Sequence, residues 1–238
     1  MVSTIETLTS IMAAWMLLAG VSYWAHRERL GLTRDILIAS VRAPVQLLVL
    51  ALVLHWLFDI QSHWAQAGVI LFFCILAGHT AAGYHERFQH AWIASSIGLA
   101  LACLVTLPWL IFAKAFTDEA RTLIPLGSMV AANGMNSVSI MFERLKPSET
   151  GATATIKEGL HTAMISPINT LKVVGIVHMP GIFVGMILAG STVFAAASAQ
   201  LVVLYMIVAS GFTACVASYL MMKYLHKSIA DERGFEGK

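Results

Sequence analysis

The sequence has little charge. Only 12% of its 238 residues are Asp, Glu, Lys or Arg, whereas 58% are hydrophobic. Soluble domains usually carry about 25% charged residues. The few charges are clustered and leave several uncharged runs of about 20 residues, the length that a helix needs to cross a bilayer. The net charge is only +2, and no dense Lys/Arg cluster occurs, so no nucleic-acid partner is expected. These features predict an integral, all-helical membrane protein embedded in a lipid bilayer.

Catalytic motifs are also missing from the sequence. It contains no HExxH metal motif, no GxSxG nucleophile motif and no GxxxxGK[ST] phosphate loop. The chain is therefore not expected to be an enzyme or to bind a cofactor, and any ATP must be hydrolysed by another subunit. Cys74, Cys103 and Cys215 all lie inside apolar runs, which favours small buried residues over a disulfide framework.

The apolar runs predict a single transmembrane domain over 1–238 with seven membrane segments. The sixth segment is too long for one plain crossing, and Pro167, Gly175, Pro180 and Gly181 are expected to break it. Such breaks persist at membrane depth only where protein or a water-lined cavity satisfies the backbone, so a broken or re-entrant element is predicted. The seven segments are roughly 8–25, 36–57, 64–84, 91–113, 123–142, 160–190 and 192–222.

The distribution of positive charge predicts the orientation. Of the 15 Lys and Arg residues, most lie in the connections after the first, third and fifth segments and in the tail 223–238. The opposite side has only Lys114 and Arg121. Cytoplasmic loops carry the excess of positive residues, so the N-terminus is expected outside and the C-terminus and tail in the cytoplasm.

Two cations, Arg42 and Lys172, lie inside the predicted segments, which contain no Asp or Glu. A cation at the bilayer centre costs about 2.5–3.5 kcal/mol on insertion scales, and such residues usually have a functional role. A role in the substrate pathway would suit an anionic or chelated solute. The alternative is structural: Arg42 could join helices through carbonyl groups, and Lys172 could extend its amine to the interface.

Four amide side chains, Gln46, Asn133, Asn136 and Asn169, form a second group of candidates for the pathway. Asn133 and Asn136 are three residues apart and therefore share a helix face. Buried amides in lipid also hold helices together, and this alternative stays open.

A soft-metal site is a weaker prediction. Thioether and imidazole groups suit softer metals, and the candidates are His178, Met179, Met129 and Met135. No tight ligand spacing supports them, and methionine commonly fills irregular packing.

The polar stretch 143–159 is predicted to lie in the cytoplasm, either as a docking element for a partner ATPase or as a solvated loop. Ser148 or Thr155 could cap a short helix there.

Three stretches resemble the FetB-type iron-export permeases of ABC transporters, whose plant relatives are linked to aluminium tolerance. They are RAPVQLLVLALVLHWLF at 42–58, IPLGSMVAANGM at 124–135 and SPINTLKVVGIVHMPGIFVGMILAG at 166–190. The chain departs from the family pattern in a shorter cytoplasmic segment before the broken helix, and in Val177-His178-Met179 before Pro180.

The resemblance implies a permease subunit of the bacterial inner membrane that exports iron or another metal. It implies a second permease copy, as a homodimer, and a separate ATPase subunit that holds ATP-Mg. Coupling to that ATPase is expected through Arg144, Glu149, Gly151, Ala152 and Lys157. The alternatives are a permease or stand-alone carrier for an anionic organic or nucleotide-linked solute, or a membrane scaffold that transports nothing.

Overall fold

The computed structural model describes residues 4–116, 119–146 and 155–235, with side chains over 9–116, 119–146 and 155–226. Every regular element in these ranges is an α-helix. The chain forms two units, residues 1–59 and 60–238, which are described in turn. The helices are α1 (Thr4–Arg27), α2 (Thr33–Phe58), α3 (His63–Ala82), α4 (Phe88–Phe112), α5 (Ala120–Leu145), α6 (Ile156–Val173), α7 (Gly181–Leu188) and α8 (Val193–Phe235).

The first unit is the helix pair α1 and α2. Their short connection reverses the chain through two left-handed residues, Arg29 at φ 53° and Gly31 at φ 74°. Glycine adopts this conformation at little steric cost, which is why the turn can be so short. Asp35 lies in the first turn of α2, where its charge favours the positive end of the helix dipole.

The second unit packs α3, α4, α5 and α8 around a core of small and aliphatic side chains. Two glycines allow helices to lie very close together. A Cβ on Gly78 of α3 would collide with the backbone of Ser96 in α4, and a Cβ on Gly98 of α4 would collide with the backbone of Ser218 in α8. Such contacts between small residues are typical of helix packing in membranes.

The predicted interruption in the sixth segment lies between α6 and α7. Helix α6 ends at Val173, and the N–H groups of Val177 and His178 donate to the Val173 carbonyl at 3.0 and 3.2 Å. Gly175 has φ +79°, and Pro180 precedes the first residue of α7, Gly181. The prediction was wrong for Pro167, which lies inside α6.

Helix α6 begins at Ile156, within a few residues of the predicted start at 160. Thr155, one of the two predicted caps, forms a capping box with Glu158, in which each side chain bonds the other residue's backbone N–H. The interval 143–159 is therefore partly helical, since it includes the end of α5 and the start of α6. Helix α8 continues to Phe235, so the predicted tail 223–238 begins within a helix.

Within the part of the chain that the structure describes, four helices are long and apolar enough to cross a membrane: α2, α3, α4 and residues Val193–His226 of α8. The protein is therefore a multi-pass membrane protein. The count of seven crossings, the orientation and the single domain over 1–238 stay predictions.

Candidate functional site

A polar cavity of about 120 Å³ lies between α5, α6 and α8. Asn133 and Asn136 line it from α5, as their spacing predicted, and Ser166 and Thr170 line it from α6. Pro167 lines it too. Proline has no N–H to donate to the carbonyl four residues earlier, and that residue, Ala163, also borders the cavity. Pro167 therefore cannot donate to the Ala163 carbonyl, and α6 nevertheless continues through it to Val173.

A larger cavity of about 890 Å³ lies between α3, α5 and α6. It shares Asn136, Ile140 and Ser166 with the smaller cavity. At the C-terminal end of α5 it is bordered by Glu143, Arg144 and Lys146. The two cavities together form a polar lining that runs from this charged end to Asn133, and we call it the α5–α6 cavity.

Five polar side chains of the α5–α6 cavity each donate a proton to a carbonyl of their own helix. Asn133 Nδ2 donates to the Met129 carbonyl at 2.9 Å, and four hydroxyl groups do the same with the carbonyl four residues earlier. Because each hydroxyl has used its only proton, its oxygen can act toward a solute only as an acceptor. These four residues of the lining therefore offer acceptor oxygens. The four hydroxyl groups belong to Thr80, Ser139, Thr162 and Thr170.

These hydroxyl residues were not singled out from the sequence. A signal was present, because Thr162, Ser166 and Thr170 recur every four residues and must share one face of a helix. It is a weak signal, since serine and threonine are frequent in membrane helices as packing residues.

Asn169 and Lys172 lie elsewhere, on an exposed groove between α6 and α8 of about 890 Å³. Lys157 and His161 line the same groove, and no Asp or Glu is among its lining residues. Lys172 is in the last turn of α6. A cation there is stabilised by the negative end of the helix dipole, which gives Lys172 a structural reason to be present.

Arg42 and Gln46 belong to the first unit. Both are exposed on α2, one helical turn apart, with Pro44 between them. The predicted pathway residues thus occupy three surfaces: one on α2, the α5–α6 cavity and the α6–α8 groove. A role in the pathway stays a prediction for each of them.

The candidate soft-metal ligands lie on two different elements. Met129 and Met135 are partly buried on α5 and pack against the core, and Met135 also borders the larger cavity. His178 and Met179 are exposed in the interruption before α7. Among residues with described side chains, no three His, Cys, Asp or Glu are grouped so that they could hold a metal ion. The soft-metal site stays a prediction.

The predicted coupling residues are only partly visible. Arg144 borders the α5–α6 cavity and Lys157 lies in the first turn of α6. Glu149, Gly151 and Ala152, together with the candidate cap Ser148, lie outside the described residues.

His85, in the connection between α3 and α4, supplies a test by pH. Burial lowers the pKa of this imidazole, and Lys146, Arg87 and His226 lower it further, while Glu86 opposes them. The ring Nδ1 also accepts a hydrogen bond from the Arg87 N–H at 3.0 Å, which requires that nitrogen to be unprotonated. The folded protein therefore favours neutral His85.

We expect acid to destabilise the protein partly through this residue. Histidine in an unfolded chain takes up a proton near pH 6.5, and the folded state resists doing so. Stability should fall as the pH drops through and below about 6.5. The melting temperature in detergent should fall between about pH 7.5 and about pH 5.5, and it should fall less for His85→Gln than for the wild type. An equal loss in both proteins would contradict a depressed pKa at His85.

The family model "Uncharacterised protein family (UPF0014)" matches residues 8–157 and 146–226. The two matched ranges overlap at 146–157. This overlap lies within the stretch that was predicted to be cytoplasmic and shorter than in the family. No solved structure matches the chain.

Curated relatives match along most of the chain. It is 27% identical to the "Probable iron export permease protein FetB" of Escherichia coli, over 93% of both chains. It is 28% identical to the "UPF0014 membrane protein STAR2" of rice, over 81% of this chain and 74% of the relative. It is 24% identical to the "Protein ALUMINUM SENSITIVE 3" of Arabidopsis thaliana, over 82% of this chain and 78% of the relative. The predicted resemblance is thus confirmed, and the chain belongs to the UPF0014 family of membrane proteins.

Proposed function

We propose that this chain is the membrane-spanning permease subunit of an ABC transporter that exports iron, another metal or a metal-linked solute. Support comes from the family, from the name of its relative FetB, and from the oxygen-rich α5–α6 cavity. ATP-Mg is hydrolysed on a separate ATPase subunit, since the sequence has no phosphate loop. The permease acts as a homodimer in the bacterial inner membrane.

The chemistry of the α5–α6 cavity is the observation that carries this proposal. The hydroxyl protons of Ser139, Thr162 and Thr170 are engaged by helix carbonyls, so a passing solute would meet oxygen lone pairs at these residues. Hard metal ions and their hydration shells are bound by such oxygen atoms. The smaller part of the cavity, which Asn133 and Asn136 line, has no cation among its lining residues, whereas Arg144 and Lys146 border the other end. Met135, which also borders the cavity, adds a thioether for a softer ion.

Coupling to the ATPase takes place at the charged end of the same cavity. Glu143, Arg144 and Lys146 end α5, and Thr155 and Glu158 fix the start of α6. A subunit that binds the intervening segment would act directly on both helices that form the cavity. Movements driven by ATP hydrolysis could therefore be transmitted through α5 and α6 directly to the polar side chains that line the cavity.

An anionic cargo is the second candidate, and the α6–α8 groove is the observation that favours it. Lys157, His161 and Lys172 line that groove without any carboxylate among its lining residues. An anionic organic or nucleotide-linked solute would be attracted there by charge, as either ABC cargo or the cargo of a stand-alone carrier. The third hypothesis is that the protein is a membrane scaffold without transport activity.

The first experiment is purification through a C-terminal tag in mild detergent, with identification of the proteins that accompany the permease. We expect a Walker-type ATPase at about one copy per permease, and stimulation of its ATP hydrolysis by iron salts in proteoliposomes. Organic anions at the same ionic strength are the matched control. If only the organic anions stimulated ATP hydrolysis, the cargo would be an anion and the metal proposal would be wrong. Absence of any ATPase subunit would favour the stand-alone carrier or the scaffold.

A further inference from the structure

Two cysteine side chains from neighbouring helices face each other in the second unit. Cys74 of α3 and Cys103 of α4 are both buried, and their sulfur atoms lie 3.6 Å apart. Both are free thiols. Cys74 is the twelfth residue of α3 and Cys103 the sixteenth of α4, so neither lies near a helix end. The pair has no part in the proposed transport path.

The thiol pair opens onto an apolar pocket of about 460 Å³. Except for the two cysteines, the side chains that line it are hydrocarbon. It shares no lining residue with the α5–α6 cavity or with the α6–α8 groove. Pockets of this size hold small apolar ligands. Among the lining residues are Ile70, Leu71, Leu104, Leu107, Pro108 and Ile111.

The spacing of the sulfurs suits one atom bonded to both. Bonds of about 2.3 Å, as between zinc and thiolate, set two sulfurs about 3.3 Å apart at the near-right angle of a trivalent pyramidal atom and about 3.8 Å apart at a tetrahedral angle. The measured separation is 3.6 Å, so little movement of either helix is needed. Two thiols fixed in this way bind a bridging atom more tightly than separate thiols do, because the second bond forms within the same molecule.

The surroundings restrict what that atom can be. A net charge buried among hydrocarbon side chains is costly. In the part of the chain with described side chains, no third His, Cys, Asp or Glu joins the pair to complete a metal site. The bound centre must therefore be neutral and need only two protein ligands.

We infer that Cys74 and Cys103 form a dithiol site for trivalent arsenicals that carry one apolar substituent. Such an arsenic atom forms three bonds, two to sulfur and one to its own carbon group, and leaves no net charge. Its substituent would occupy the apolar pocket. The product joins α3 to α4 covalently through a single atom.

The reaction balances without an oxidant. An arsenoxide R–As=O and two thiols give R–As(S)₂ and one water molecule. The two S–H bonds and the As=O bond break, and two As–S bonds form. The two thiol protons leave with the oxygen as water, and arsenic stays trivalent.

The test uses the full chain in detergent with phenylarsine oxide as the probe, in the presence of excess glutathione. Intact mass spectrometry should detect one phenylarsenic group on the wild type, removable by 2,3-dimercaptopropanol. Cys215→Ser is the matched control, because Cys215 is also buried but lies on α8, and it should react like the wild type. Cys74→Ser and Cys103→Ser should each lose at least about tenfold of the adduct, since a single thiol lacks the second bond.

A second measurement needs no variant. Wild-type protein treated with phenylarsine oxide is denatured and labelled with maleimide, and peptides are mapped by mass spectrometry. Cys74 and Cys103 should both be protected and Cys215 labelled. Three outcomes would overturn the assignment. Cys215 could be protected in place of Cys74 and Cys103, or glutathione could displace the phenylarsenic group. The two cysteines could also be protected by cadmium chloride but not by phenylarsine oxide.

Discussion

Replacing Asn136 with leucine should lower iron-stimulated ATP hydrolysis at least about tenfold while the permease still assembles. Asn136 borders both parts of the α5–α6 cavity, so leucine would remove its amide and narrow the passage where the two parts meet. A hydrogen bond to a charged partner is worth about 1.5–3 kcal/mol, and about 1.4 kcal/mol corresponds to a tenfold change. The measurement is the ATPase rate in proteoliposomes with and without an iron salt.

Two variants control for effects that are not specific to the cavity. Ser198→Leu makes a similar change in polarity on an exposed face of α8 and should leave stimulation unchanged. Lys172→Ala removes a cation from the α6–α8 groove and separates the two candidate paths: iron stimulation should stay intact if the cargo passes through the α5–α6 cavity and be lost if Lys172 is a pathway residue. If Lys172→Ala abolished stimulation and Asn136→Leu did not, the cargo would pass along the groove, and the α5–α6 cavity would not be the path.

Gly98→Ala should destabilise the protein by about 1–3 kcal/mol, the usual cost of overpacking a tight core. The added carbon would lie 2.8 Å from the Ser218 backbone nitrogen and 2.9 Å from the Ala214 carbonyl oxygen. These are backbone atoms of α8, so they cannot rotate away, and the helix itself must move. Thermal unfolding followed by size-exclusion chromatography in detergent measures the loss.

Gly68→Ala is the matched control for this substitution. Gly68 is also inside a helix, and a Cβ there would meet no atom within 4 Å. The same change should stabilise α3 slightly, because alanine favours a helix over glycine by about 0.8–1.0 kcal/mol. Equal unfolding temperatures for the two variants would mean that α4 and α8 do not pack as closely as the structure has them.

The helices could be predicted from the sequence because lipid-facing segments carry a strong signal in their length and hydrophobicity. Asn133 and Asn136 could be singled out because an amide is unusual in an apolar run, and their role in the pathway stays a prediction. Pro167 was misjudged because a proline within a membrane helix is tolerated where neighbouring helices or a cavity satisfy the freed backbone group, and Pro167 and Ala163 both border a polar cavity. Whether such a cavity exists depends on the neighbouring helices, which the local sequence does not specify.

The hydroxyl lining and the thiol pair could not be predicted. A threonine that bonds its own helix has the same sequence signature whether it faces lipid, protein or a cavity. Cys74 and Cys103 are 29 residues apart in the chain, and their contact depends on how α3 and α4 are rotated against each other. The close approach at Gly78 and Ser96 sets that rotation.

Helix α6 has a defined structure at both of its ends. The capping box at Thr155 and Glu158 holds the first turn, and the turn at Gly175 closes the other end. Its 18 residues have a length of about 27 Å at 1.5 Å per residue, nearly the thickness of the hydrocarbon core. One side carries the hydroxyls of Thr162 and Thr170. A displacement of the first turn at Ile156 would therefore be transmitted along the helix to Val173, and a rotation of α6 by part of a turn would move those hydroxyls away from the cavity.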